Sequence, residues 1–172
     1  NLDNSSGNVN DRLGLGGSGD VGNLYLQGGK LVVTGNTSVA TSEAVANLNV
    51  QSGGGRIELN ANANRQLNFT ITTLAAGNGI NTATPSLVAG ANTGSLVIGG
   101  LTGASAANGV ATLTITNANY TQAALQGGGS NASTNLSVRG DILADAAVSG
   151  YGTGFLVQDT STLKWRALGT SS

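Results

Sequence analysis

The chain has no His, no Cys and no Met, and it carries only eight carboxylates and seven basic residues in 172 positions. Each scarcity excludes something. Most enzyme chemistry needs a titratable group poised in a pocket, and few are on offer. Without Cys there is no disulfide framework, which suits an exported protein that stays extended during passage. Proline occurs once, at Pro85, and aromatic residues make up 3% of the chain. A net charge of −1 supplies no field to steer nucleic acid or anionic lipid, and it opposes self-association only weakly. No stretch approaches the ~18 consecutive apolar residues of a membrane span. The first residue is Asn1, with no charged-then-apolar leader before it, so the chain reads as a processed product or a segment of a larger precursor.

What is present is Gly, Asn, Ser, Thr and Ala, broken by short runs of Val, Leu and Ile. The 28 glycines stand well above ordinary usage. The apolar runs recur as short alternating segments, which is the period of a half-buried strand. Strands are expected at Asn23–Leu26, Lys30–Thr34, Asn47–Gln51, Arg56–Asn60, Gln66–Thr73, Ser95–Ile98, Ala111–Thr116, Asn135–Arg139, Gly154–Gln158 and Leu163–Ala167. Gly28-Gly29, Gly53-Gly54-Gly55, Gly99-Gly100 and Gly127-Gly128-Gly129 separate them as corners. Thr41–Val45 and Asp141–Ala147 could each form a short turn of helix. The stretch around 75–94, with Pro85, reads as an excursion from a single module spanning 1–172.

Two all-β architectures compete. One is an antiparallel β-sandwich. The other is a parallel β-helix, or β-solenoid, in which three short strands make each coil and inward aliphatics stack coil upon coil. The low aromatic content and the dominance of Leu and Val favour the solenoid. At ~20–28 residues per coil the chain would make roughly six to eight coils.

Certain residues resemble a known family. Asn1-Leu2-Asp3-Asn4-Ser5-Ser6 and Asn8-Val9-Asn10-Asp11-Arg12-Leu13-Gly14 lead into Leu24-Tyr25-Leu26-Gln27-Gly28-Gly29-Lys30-Leu31-Val32-Val33-Thr34-Gly35-Asn36 and then Thr41-Ser42-Glu43-Ala44-Val45-Ala46-Asn47-Leu48-Asn49-Val50. This order resembles the autotransporter-associated β-strand repeat of very large bacterial surface proteins. Gly140-Asp141-Ile142-Leu143-Ala144, Phe155-Leu156-Val157-Gln158-Asp159 and Trp165-Arg166-Ala167-Leu168 are similar in style to the same family. The resemblance implies a right-handed parallel β-helix, secreted or at the cell surface, with no known catalytic residues.

Few constellations carry chemistry. Asp141, Asp145 and Asp159 are the acidic residues near the C-terminus, and paired carboxylates can serve as acid and base in polysaccharide cleavage; solvated turn positions are the simpler reading. Gly16-Gly17-Ser18-Gly19-Asp20 is one imperfect copy of a calcium-binding nonapeptide, and Asp3, Asp11 and Asp20 could gather around Ca²⁺; a Gly-rich corner is the simpler reading here too. Asp11-Arg12 suggests local pairing over a first coil. Trp165, between Lys164 and Arg166, could stack on a sugar or cover the last coil, and the second is preferred. Asn36, Asn68, Asn119, Asn131 and Asn135 head acceptor sequons that arise by chance in an Asn- and Thr-rich chain. No cofactor, metal or catalytic residue is assigned.

With no cap evident at either end, both terminal coils are expected to be open. Leu2, Asp11, Arg12 and Leu13 at one end, and Leu163, Trp165 and Leu168 at the other, would then dock copies head to tail into an extracellular filament. The alternative is an adhesin or carbohydrate-binding module of a larger bacterial surface protein.

Overall fold

The computed structural model describes residues 1–14, 22–76, 95–116, 138–159 and 161–169. These form β1 (Leu2–Asp3), β2 (Asn23–Leu26), β3 (Gly29–Thr34), β4 (Thr41–Val50), β5 (Gly55–Asn60), β6 (Leu67–Ala76), β7 (Leu96–Gly99), β8 (Ala111–Ile115), β9 (Val138–Asp145), β10 (Gly154–Gln158) and β11 (Trp165–Ala167). All belong to one curled mixed sheet, in the order β1-β3-β5-β7-β9-β10-β11-β8-β6-β4-β2. Among the described residues there is no helix. The fold is all-β, as the alternating runs require.

The order carries a simple rule. Odd-numbered strands from β1 to β9 pair in one parallel ladder, and even-numbered strands from β2 to β8 pair in another. Consecutive strands therefore alternate between two ladders, where three strands per coil had been expected. The neighbour-to-neighbour antiparallel pairing that a sandwich needs is confined to β9, β10 and β11. The described residues supply five odd-ladder and four even-ladder strands. β6 ends at Ala76 and β7 begins at Leu96, and β8 ends at Ile115 while β9 begins at Val138. The expected excursion at 75–94 starts inside β6, and its remainder lies outside the described residues, as do 117–137.

The core is a set of in-register columns. Leu31, Ile57, Ile98 and Ala144 are successive partners on the odd ladder. Val45, Ile71 and Ile115 are successive partners on the even one. All are buried in a single apolar cluster. Polar residues alternate with the apolar ones. On the even ladder Ser42, Asn68 and Thr112 are successive partners, the first two half-buried and Thr112 buried, with Thr112 Oγ1 donating to Asn68 Oδ1 at 2.8 Å. Burial of large aliphatics at about 25 cal/mol per Å² is the main stabilising term.

The two stretches expected as helical turns are strand. Thr41–Val45 opens β4, and Asp141–Asp145 lies in β9. Local helix propensity is overridden because β4 pairs in register with β6 over nearly its full length. Of the strand expected at Asn135–Arg139, Val138 and Arg139 lie in β9, and 135–137 fall outside the described residues. The strand expected at Leu163–Ala167 begins only at Trp165, because Leu163 has a φ of 57° that no ladder accommodates.

Glycine is required at a few corners. Gly100, directly after β7, has a φ of 90°, and a Cβ there would collide with the Leu59 carbonyl of the neighbouring rung. Gly100→Ala is therefore expected to cost roughly 3 kcal/mol or more, from left-handed strain plus a backbone clash. A urea midpoint close to that of the parent protein would contradict this.

Candidate functional site

The stretches expected to matter are the two ends of the stack. At the N-terminal end β1 pairs with Val33 and Thr34 of β3, and β2 pairs with Asn47–Val50 of β4. That leaves the first six residues of β4, Thr41–Ala46, and residues 4–12 lie over the first three of them. Ser42 presents both backbone groups outward: its N–H donates to Asn10 Oδ1 (2.9 Å), and its carbonyl accepts from Asp11 N–H (3.1 Å). Thr41 Oγ1 donates to Asn8 Oδ1 at 2.9 Å. Asn4 anchors the segment, with its N–H on the Thr34 carbonyl (3.0 Å) and its own carbonyl accepting from Asn36 Nδ2 (2.7 Å).

Beneath this segment sits Glu43, fully buried. It heads the column Glu43–Phe69–Leu113–Trp165, four successive register partners of which the other three are apolar and buried. A carboxylate in such a column must be satisfied. Glu43 Oε2 accepts from Arg12 N–H (2.9 Å), and Oε1 accepts from Arg12 Nε (3.2 Å) and Asn4 Nδ2 (3.3 Å). Arg12 thus finds its partner in Glu43, where the sequence had suggested neighbouring Asp11. Leu2 and Leu13 are half-buried against the core, while Asp11 is exposed in a left-handed conformation with φ 55°.

At the other end β10 and β11 continue both ladders and join them. β10 pairs with β9 and β11, and β11 pairs with β8 through Trp165 and Leu113. Every strand here has a neighbour on each side. Trp165 is fully buried as the last member of the Glu43 column, so its ring closes the core and presents no face to a sugar. Leu163 and Leu168 are exposed. The expectation of an open last coil is corrected where β10 and β11 join the two ladders, whereas β1 and β2 end the sheet order with one neighbour each. The cap at one end is built from Asn side chains and one ion pair, and at the other from a strand pair; neither has a helical or highly charged signature in the sequence.

Asp145 and Asp159 serve turns. Asp145 is buried, and its two oxygens accept from Ala147 N–H (2.9 Å) and Gly152 N–H (3.1 Å). A Cβ on Gly150 would overlap that carboxylate. Asp159 Oδ1 accepts from the Ser161 and Thr162 amides, each at 3.0 Å. Asp141 lies on β9. Asp3 Oδ1 accepts from Ser5 N–H at 2.8 Å, and Asp20 with its glycines lies outside the described residues. Among the described residues no three His, Cys, Asp or Glu side chains converge in a group that could hold a metal ion. Asn36 is buried, with its side chain bonded to Asn4, Ser38 and Val39, and so is spent on its corner. Asn119, Asn131 and Asn135 lie outside the described residues.

One cluster was not foreseen. On the odd ladder Lys30 and Arg56 are register partners, and Glu58 bridges them: Arg56 Nε to Oε1 at 2.7 Å, Lys30 Nζ to Oε2 at 3.1 Å. Arg56 also donates Nη2 to the Val148 carbonyl (3.1 Å), with its guanidinium carbon 5.6 Å from the Tyr151 ring centroid. The trio ties β3 to β5, and Arg56 ties both to the turn after β9. The Arg56 hydrogen bond, with Lys30 behind it, holds the Glu58 carboxyl below the ordinary range despite its burial. A depressed folded-state value means stability that is present above the unfolded value near 4.5 and lost as pH falls through the lower, folded one. Glu58→Gln is expected to flatten the acid side of the stability profile, and an unchanged slope below about pH 4.5 would contradict the assignment.

Comparison with protein-family models, with characterised proteins and with solved structures gives no match to the chain.

Proposed function

We propose that this chain is a non-enzymatic structural module of an extracellular or cell-surface protein, wound as a right-handed parallel β-solenoid and closed by its own strands at the β10–β11 end. The observation that carries this reading is the alternation of consecutive strands between two parallel ladders. Crossovers between parallel strands are right-handed in nearly all known cases, which supports that hand. Carboxylates engaged in turns and ion pairs, and the likeness of Asn1–Val50 to the autotransporter-associated β-strand repeat, support a scaffold role. On this reading the outer faces display Thr, Asn and Ser, and contact with glycans or solid surfaces as an adhesin passenger falls to exposed residues such as Tyr25 and Tyr151.

End-to-end stacking into a filament is the second reading. It keeps one favourable observation: β1 and β2 end the sheet order, each with one neighbour. It has lost the matching edge at β10–β11, so head-to-tail growth is the weaker reading of the two. Immunoelectron microscopy of native cells and medium tests the proposal. Label on extended material outside the cell is expected, and label confined to the cytoplasm would contradict it. Long uniform fibres in the same images would favour the second reading.

A further inference from the structure

We infer that the outer face of the odd ladder, from Lys30 to Phe155, binds a linear acidic polysaccharide whose sugar rings carry carboxylates. The inference deepens the adhesin reading above and rests on it. Lys30, Arg56, Val97, Leu143 and Phe155 are successive register partners across β3, β5, β7, β9 and β10. They alternate with the buried Leu31, Ile57, Ile98 and Ala144 and so stand on the opposite face. Strand patterning reserves such outward positions for polar residues. Val97, Leu143 and Phe155 are instead apolar, the first two half-buried and Phe155 exposed. Apolar surface rimmed by polar groups marks a binding face. The loop after β9 crosses this row and holds Tyr151 at 91% exposure. That loop is firmly built. Buried Asp145 accepts from the Ala147 and Gly152 amides, Gly150 N–H donates to the Ala147 carbonyl (3.1 Å), and Arg56 Nη2 donates to the Val148 carbonyl (3.1 Å). A Cβ on Gly99 beneath it would overlap the Val148 carbonyl. Folding gains little from a ring left in water; a rigid loop that presents one is ready to bind without an ordering cost.

The chemistry of the face identifies the occupant. β5, β7 and β9 each have a neighbour on both sides, so no backbone edge is offered here to an extended peptide. What the face offers is aromatic rings and cations. The negative π face of Tyr151 or Phe155 attracts groups with a positive edge, and the C–H face of a sugar ring is such a group. Arg56 and Lys30 lie beside Tyr151 and the row's other end, respectively, with the Arg56 guanidinium carbon 5.6 Å from the Tyr151 ring centroid. Glu58 takes one bond from each of the two cations, which leaves one positive charge over. The Lys30 side chain is 52% exposed, so its remaining donors are open to a carboxylate. Lys30 and Phe155 are four strand spacings apart, about 19 Å along the face, which is the reach of about four linked sugar rings.

Titrating tetragalacturonate into the full chain, followed by amide chemical shifts, tests this. Saturable shifts at Lys30, Arg56, Tyr151 and Phe155 are expected, with a Kd of about 1 mM or tighter. The fully methyl-esterified tetramer keeps the rings and loses the charges, and it is expected to bind about fivefold more weakly. Lys30→Gln is expected to weaken the acid form about threefold and leave the ester unchanged. Tyr151→Ala is expected to weaken both forms about fivefold, with the fold intact because the ring is exposed. Tyr25→Ala removes an exposed ring on β2, outside this row, and is expected to change nothing. Absence of saturable shifts at these four residues would overturn the inference. So would equal binding of acid and ester, or full binding by Tyr151→Ala. Tetraglutamate bound as tightly as tetragalacturonate would assign the face to an acidic peptide and overturn it as well. These outcomes leave the cell-surface reading standing, since immunoelectron microscopy decides that; label confined to the cytoplasm would sink that reading and leave the measured affinity in place.

Discussion

Trp165→Ala is expected to lower the unfolding free energy by about 3–5 kcal/mol, the range for deleting a large buried aromatic. The ring is fully buried and ends the Glu43–Phe69–Leu113 column under the β10–β11 pair. Only one register pair links β11 to β8, and it runs through this residue. The substitution therefore removes both the plug of the core and the residue that joins one ladder's end to the cap. Trp165→Phe keeps part of the volume and is expected to cost less. The chain has a single Trp, so the premise can be read directly as blue-shifted fluorescence that quencher reaches only on unfolding. A urea midpoint shift with an unchanged slope would report stability. A loss below about 1 kcal/mol would mean that the indole does not cap the core.

Arg12→Ala is expected to cost on the order of 2–4 kcal/mol, because it leaves a buried carboxylate without its counter-charge. The Arg12 side chain is itself only partly buried, so the larger penalty falls on the Glu43 side. The Arg12 amide and Asn4 Nδ2 remain as donors to Glu43 and moderate the loss. Pairing the change with Glu43→Gln is expected to recover part of it, since a neutral amide needs no ion partner; a double-mutant cycle measures that coupling. Additive effects would mean that the two side chains do not meet. Arg12→Lys is not a conservative replacement here, because the contact uses the guanidinium Nε.

Strand positions were legible where apolar residues alternate. Asn23–Leu26 and Gly154–Gln158 coincide with β2 and β10, and Arg56–Asn60 falls one residue short of β5. Such segments advertise themselves because one face is dry. Thr41–Val45 did not, since Ser42, Glu43 and Ala44 break the apolar alternation. Glu43 occupies an inward position that sequence patterning reserves for Leu or Ile. What reverses the expectation is a partner remote in the chain: Phe69 beside it on β6 and Arg12 above it. The ends were illegible for the same reason. Asn4, Asn8, Asn10 and Asn36 resemble the other Asn residues of this Asn-rich chain, and only three-dimensional proximity turns them into a cap. Trp165 could be weighed as a cover because bulk alone suggested it.

Everything above depends on consecutive strands alternating between two parallel ladders that meet in a closing pair. Cross-strand nuclear Overhauser contacts in the isotope-labelled protein test this most directly. The expected result is a chain of contacts from Glu43 to Phe69, from Phe69 to Leu113 and from Leu113 to Trp165, with Leu31, Ile57 and Ile98 linked in the same way on the other ladder. Antiparallel contacts between sequence neighbours instead, β4 with β5 or β5 with β6, would contradict the account.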